Sequence, residues 1–225
     1  MKKFTKFLFA FLCLGLVFVS CNKDNFDYEQ AEREQIEKNR IEKARIDSLK
    51  KIQAPILRDY ALSKWGDKAK FSDSTGIWYK VDLAGGSETP FAYTGSIGYY
   101  GPQLTAWSAS FNFKGELMNG TVFDKSTDGI PKSYSNISVA IDTYKQAWVQ
   151  AFVPTIVNIQ GKDIRFEGLL AKGLQKNDKI SFISPSYYTF DQTEYTKGSE
   201  KVTVPKNTPV VYTIELKTIG AVGAN

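Results

Sequence analysis

Asn119-Gly120 sits between two apolar-alternating runs in "ELMNGTVFDKS", Glu116 to Ser126, and three residues further on Phe123 and Asp124 stand side by side. An Asn-Gly pair favours positive backbone dihedrals and therefore a tight reversal. The aromatic and the carboxylate then fall together near one end of a hairpin. The chain contains no histidine, so the commonest general acid-base residue is missing and a Ser-His or Cys-His nucleophile cannot be assembled. Carboxylates are plentiful, but no pair has a spacing that singles it out. There is no glycine-rich phosphate loop and no cluster with metal-ligand spacing. Hydrolytic chemistry therefore has no support.

The elements that must position these residues can be read from periodicity. Trp107, Ala109, Phe111 and Phe113 share one face of an alternating run, while Ser108, Ser110, Asn112 and Lys114 share the other, which predicts a half-buried strand. The reversal at Asn119-Gly120 feeds a second strand through "TVFD". "DSTGIWYKVDLAGG" reads as a turn and then a strand, Ile77 to Leu83, closed by Gly85-Gly86. "YKQAWVQAF" spaces Tyr144, Trp148 and Phe152 four apart, one face of a helix. "KISFISP" is a strand stopped by Pro185, and "PVVYTIELKTI" is a closing strand with Val210, Tyr212, Ile214 and Leu216 inward. The expected architecture is α+β: an antiparallel sheet curved around a single short helix.

The N-terminal quarter differs in kind. Lys2, Lys3 and Lys6 precede an apolar run from Phe7 to Val19, then Ser20 and Cys21. A basic start, a short apolar run and a small residue describe an export signal, and the run is too short to span a bilayer. Cleavage before Cys21 would leave 26 basic against 24 acidic residues, so the formal +5 of the whole chain falls to about +2. That balance, without an arginine-rich cluster, gives no support for nucleic-acid binding. Cys13 leaves with the signal, so Cys21 stands alone and forms no internal disulfide. Its place after "LVFVS" resembles the lipobox of bacterial lipoproteins, with Phe18 where leucine is usual. The resemblance implies an acylated Cys21 and attachment to a membrane surface. The competing reading is an ordinary secreted protein with a chance cysteine near its cut site.

"NFDYEQAEREQIEKNRIEKARIDSLKK" follows, charged and helix-friendly, with acid-before-base pairs four apart at Glu29-Arg33, Glu34-Lys38 and Asp47-Lys51. Ile36, Ile41 and Ile46 recur every five residues and so make no heptad seam. This predicts a solvated helical stalk of about 40 Å at about 1.5 Å per residue, in preference to a dimerisation helix. Pro55 is expected to interrupt it, with "ILRDYALSKWG" resuming as a short amphipathic helix. The organisation expected is 1–20 signal, 21–70 stalk and linker, 71–219 folded domain, and 220–225 tail.

The order of "GELMNGTVFDKS", "QAWVQAF", "DKISFISPS" and "VPKNTPVVYTIEL" resembles FKBP-type peptidyl-prolyl cis-trans isomerases. Gly115, Gly120, Phe123 and Asp124 match the family's first element in identity and spacing, and Val204, Pro205, Asn207, Tyr212, Glu215 and Leu216 match its last. The resemblance implies a proline pocket with Trp148 as floor, Phe113, Phe123 and Tyr212 as walls, and Asp124 as a rim carboxylate. It implies Val204, Tyr144 and a residue after "SPSYYTF" as further substrate contacts. Ungapped counting gives Thr189 for the last and a one-residue gap gives Phe190. No cofactor is implied. The chemistry explains the missing histidine: rotation about an Xaa-Pro bond breaks amide resonance, against about 18–20 kcal/mol, without a nucleophile or base. Departures are Phe113 for the usual tyrosine, Lys145 for an apolar residue, and Lys206 for the second of two prolines. About twenty residues around "PTIVNIQGKDIRFEG" look inserted, and Phe166 within them is a second candidate for the floor. The expected function is a lipid-anchored isomerase acting on Xaa-Pro segments of exported proteins, in the cell envelope on a periplasmic or surface face. The alternative is an inactive FKBP-like binding or structural lipoprotein.

Overall fold

The computed structural model describes residues 28–85, 89–127, 129–137, 146–196 and 198–222. The expected signal, Cys21, Tyr144 and Lys145 lie outside the described residues. The chain divides into two compact units, Met1–Arg45 and Ile46–Asn225. In the first, the described residues form the opening turns of helix α1 (Tyr28–Trp65). Glu29 and Arg33 pair at 3.0 Å there, with Arg40–Glu37 and Arg45–Glu42 pairs beside them.

The second unit is built on an antiparallel sheet. Its strands are β1 (Lys70–Ser72), β2 (Ile77–Leu83), β5 (Trp107–Leu117), β6 (Val122–Lys125), β7 (Lys132–Tyr134), β10 (Lys179–Ser184) and β11 (Val210–Ala221). The order is β1-β2-β10-β11-β5-β6, with β7 also paired to β5. The two longest strands, β5 and β11, run together from Leu117 opposite Val210 to Trp107 opposite Ala221. β6 and β7 share one edge of β5: β6 takes Lys114 to Glu116, and β7 takes Ala109 to Phe111. Two hairpins stand apart from this sheet, β3 (Gly95–Gly98) with β4 (Gly101–Leu104), and β8 (Ile156–Ile159) with β9 (Lys162–Arg165). The second hairpin is the stretch that looked inserted.

Alternation is realised as the sequence predicts. In β5 the Trp107-Ala109-Phe111-Phe113 face is buried, and in β11 Val210, Tyr212, Ile214 and Leu216 are wholly buried. Helix α2 (Gln146–Phe152) lays Ala147, Trp148, Ala151 and Phe152 against that face, giving the main core. In β10, by contrast, Ile180 and Phe182 point to one side and Ile183 to the other, and all are wholly buried. The second side is covered by α1, whose Leu57 packs with Ile183 and Val211, flanked by Tyr60, Trp65, Trp78 and Met118. The sheet thus has a helix on each face.

This explains a departure from expectation at Pro55. Proline removes one helical hydrogen bond and crowds the preceding turn, yet α1 continues unbroken through it. Gln53 before Pro55, and Leu57 and Ala61 after it, are all buried in this unit. Tertiary contacts on both sides hold the segment helical. Gln53 adds three hydrogen bonds: Nε2 donates to Ser186 Oγ (2.8 Å) and to the Asn207 carbonyl (3.1 Å), and Oε1 accepts from the Ser186 amide (2.9 Å). Residues expected to be linker are therefore part of the fold's second layer.

Candidate functional site

The reversal that opens β6 is built as the sequence suggests, with one refinement. Gly120 takes φ +88° while Asn119 is not in the left-handed region, and the Gly120 amide donates to the Leu117 carbonyl at 2.9 Å. Asn119 acts through its side chain, accepting from the Thr121 amide at 2.9 Å. The turn sends Phe123 inward and sets Asp124 opposite Gly115. Gly115 is needed there, because a Cβ would lie 2.6 Å from Phe123 Cζ and 3.0 Å from Tyr212 Cε1.

Phe113 from β5, Phe123 from β6, Trp148 from α2 and Tyr212 from β11 converge although they are scattered over a hundred residues. Trp148 meets Phe113 with ring centroids 5.1 Å apart and Tyr212 at 5.6 Å, and Tyr212 meets Phe123 at 5.9 Å. All three contacts are edge-on, the arrangement favoured by the ring quadrupoles. Trp148 is linked to Phe123 through Tyr212. Phe111, one turn of the pleat away, joins Trp148 at 5.2 Å. Phe166 is partly buried at the edge of the core. None of the four convergent rings is more than 4% exposed. Phe113 also touches a surface concavity of about 220 Å³, walled otherwise by polar residues such as Asn112, Lys114, Lys179 and Thr213.

The alternatives after "SPSYYTF" are separated by the fold. Thr189 is buried and its hydroxyl turns back to the Ser186 carbonyl. Phe190 is the residue that faces the cluster, 5.7 Å from Phe123 and nearly perpendicular to it. Val204 is wholly buried and pairs with Tyr195 by two backbone hydrogen bonds of 2.9 and 3.0 Å.

Tyr195 itself was not anticipated. Its ring stacks on Phe190 at 4.4 Å and lies 6.0 Å from Phe123, and its hydroxyl donates to Asp124 Oδ2 at 3.0 Å. The Ser199 amide donates to Asp124 Oδ1 at 3.1 Å. Each oxygen of this 6%-exposed carboxylate thus has a donor from the segment between β10 and β11. The Lys125 amide donates to Ser199 Oγ (3.1 Å) and Lys125 pairs with Glu200 (3.6 Å). Gly198 lies so close that a Cβ would be 1.9 Å from the Phe123 carbonyl oxygen. Phe113 stands where the resemblance expects tyrosine and carries no hydroxyl. Tyr195 brings one from a loop, and neither spacing nor periodicity in "DQTEYTKGSE" marks it.

Low polarity dominates the site electrostatics. Burial raises the Tyr212 phenol well above its ordinary value, with Tyr195 and Asp124 adding and a Trp148 side-chain interaction opposing. Tyr134, stacked on Phe111, is pushed up to about 12 by burial and then by the Asp124 charge. Both phenols are neutral at physiological pH. Lys132 places its ammonium 5.4 Å from the Phe113 ring centre, within cation–π range. Among the described residues, no group of three His, Cys, Asp or Glu is placed to hold a metal.

No family model matches the chain, and no curated protein matches it. Among solved structures it is similar to FkpA from Escherichia coli, with 20% identity, TM-score 0.46, and 94% of this chain and 81% of that one covered. It is also similar to AtFKBP13, with 19% identity, TM-score 0.46, and 68% and 98% covered. A third is a peptidyl-prolyl cis-trans isomerase from Pseudomonas syringae pv. tomato, with 18% identity, TM-score 0.43, and 76% and 95% covered. At these identities the likeness is one of fold.

Proposed function

We propose that this chain is a peptidyl-prolyl isomerase-like protein acting on Xaa-Pro segments of exported proteins from a lipid anchor at Cys21 in the cell envelope. The observation that carries the reading is the convergence of Phe113, Phe123, Trp148 and Tyr212, with Phe190 beside them and Asp124 at the edge. An amide twisted out of plane has lost conjugation and carries less charge separation than the planar form. An apolar aromatic enclosure therefore penalises it less, and selective stabilisation of that state is catalysis. Nothing in the cluster has to titrate, which agrees with a chain lacking histidine.

A second reading has its own support: a binding module that holds a proline-containing segment without speeding its rotation. Both Asp124 oxygens accept from this chain's own loop, and the four rings are already packed against one another. Isomerisation of a panel of Xaa-Pro peptides by the full chain, beside a folded Trp148→Ala variant, separates the readings. Acceleration that the variant loses establishes the isomerase. Peptide binding without acceleration establishes the module. For the anchor, Cys21→Ser is expected to release the protein from the membrane fraction, and unchanged partitioning would overturn that part.

A further inference from the structure

Phe123 has no free side. Tyr212, Phe190 and Tyr195 stand around its ring at 5.9, 5.7 and 6.0 Å, and Gly115 lies against the ring edge with no room for a methyl group. A proline ring can touch Phe123 only by taking the place of one of these neighbours. Two of them cannot leave without dismantling the sheet. Tyr212 is in β11, paired on both sides by β10 and β5, and Gly115 is in β5, paired with β11 and β6.

Phe190 and Tyr195 are held differently. They belong to the segment joining the Ser186–Tyr188 turn to β11, which carries a bridge between Tyr195 and Val204. Gln192, Thr193, Glu194, Thr196, Ser199 and Glu200 on this segment are exposed. It meets the site at Asp124, by the Tyr195 hydroxyl and the Ser199 amide, and at the β6 backbone beside it, where the Glu200 amide donates to the Phe123 carbonyl at 3.4 Å and the Lys125 amide donates to Ser199 Oγ at 3.1 Å. A buried carboxylate must keep its donors or be left unsatisfied. The amide N–H groups of an incoming peptide are donors of the same kind.

We infer that the stacked Phe190–Tyr195 pair is a built-in occupant of the Phe123 site, fastened by Asp124, and that an Xaa-Pro segment binds by displacing it and taking over its hydrogen bonds. The inference rests on the functional reading above and adds an internal competitor to it. The apparent affinity for peptide is then set by the fraction of molecules with the segment lifted. Removing the Tyr195 hydroxyl while keeping its ring weakens the closed state by one hydrogen bond to a charged group, a shift of about tenfold.

The test uses the full chain with Tyr195→Phe and, separately, Phe190→Ala, an Xaa-Pro peptide as probe, and two readouts. Without peptide, the Ser199 amide of Tyr195→Phe is expected to exchange with solvent about tenfold faster, as the closed state weakens. With peptide, both variants are expected to bind more tightly than the parent, Tyr195→Phe by about tenfold. Unchanged or weaker binding by both folded variants, with a parent that binds, overturns the internal competitor and leaves the functional reading intact. Binding by the variants alone supports it strongly. No binding by parent or variants overturns the Xaa-Pro site itself and the competitor with it.

Discussion

The aromatic cluster has two halves held by different means. Around Trp148, the rings of Phe111, Phe113 and Tyr212 are carried by two long paired strands and a helix, so their positions follow from ladder hydrogen bonds and the pleat. Around Phe123, the rings of Phe190 and Tyr195 arrive on an irregular segment held by hydrogen bonds to the Asp124 carboxylate and the β6 backbone, by the close approach of Gly198 and by the Tyr195–Val204 bridge. The first half is part of the global core. The second half is a local structure laid onto it, and local structures open at lower free energy than the core that supports them.

The largest expected effect lies in the first half. Trp148→Ala should lower unfolding free energy by about 3–5 kcal/mol, read by chemical denaturation, since Trp148 is 1% exposed among four aromatic rings. A loss under about 1 kcal/mol, typical of a surface site, would mean that Trp148 is not central to the core.

Gln53→Ala comes next and probes the two ends of the loop that carries the second half. Gln53 grips Ser186 and Asn207, which bracket the loop, and its loss leaves buried groups unsatisfied at about 1–3 kcal/mol. Differential scanning calorimetry should show a lower Tm. An unchanged Tm would place the bracket outside the cooperative unit.

Gly198→Ala addresses the loop alone. Its added methyl meets the Phe123 carbonyl, so the segment must shift, at about 1–3 kcal/mol for overpacking. Hydrogen exchange should show the loss at Ser199 and Glu200 and spare β5 and β11. Equal losses in all of them would erase the distinction between the halves. Gly120→Ala, an open turn at φ +88°, should cost about 1 kcal/mol with no change in local exchange at the loop.

The smallest effect is confined to alkaline pH. Burial raises Tyr134 from its ordinary value of 10.0 to about 12 and lifts Tyr212 well above the same ordinary value. Between these values the unfolded chain has lost protons that the folded chain keeps, so stability falls as pH rises. The contribution of the two phenols is whole below pH 10 and declines toward pH 12 and above. Tyr134→Phe should flatten the first part of that decline in a pH series of thermal melts.

Much of the fold could be read directly, for identifiable reasons. Period-two alternation marked β5 and β11 because each has one face in the core, and an Asn-Gly pair marked the reversal into β6. Regular position marked Phe113, Trp148 and Tyr212 as inward-facing, while their grouping with Phe123 in one site came only from the family resemblance. Phe190 was legible only as one of two alternatives, since the count runs through a turn. Pro55 misled because proline's local penalty was set against burial of Gln53, Leu57 and Ala61 that no local pattern displays.

By itself the sequence determined the pleat, the faces and the chemistry available: aromatic rings, one well-placed carboxylate and no histidine. These are local properties, carried by residue type and spacing. Only the tertiary structure decided that α1 covers the sheet's second face, that the Tyr195 hydroxyl donates to Asp124, and that Gly198 lies against the Phe123 carbonyl. Each of these joins residues 70 or more apart in the chain, the last two through an irregular segment. No periodicity reports such a contact, because it depends on where the chain returns in space.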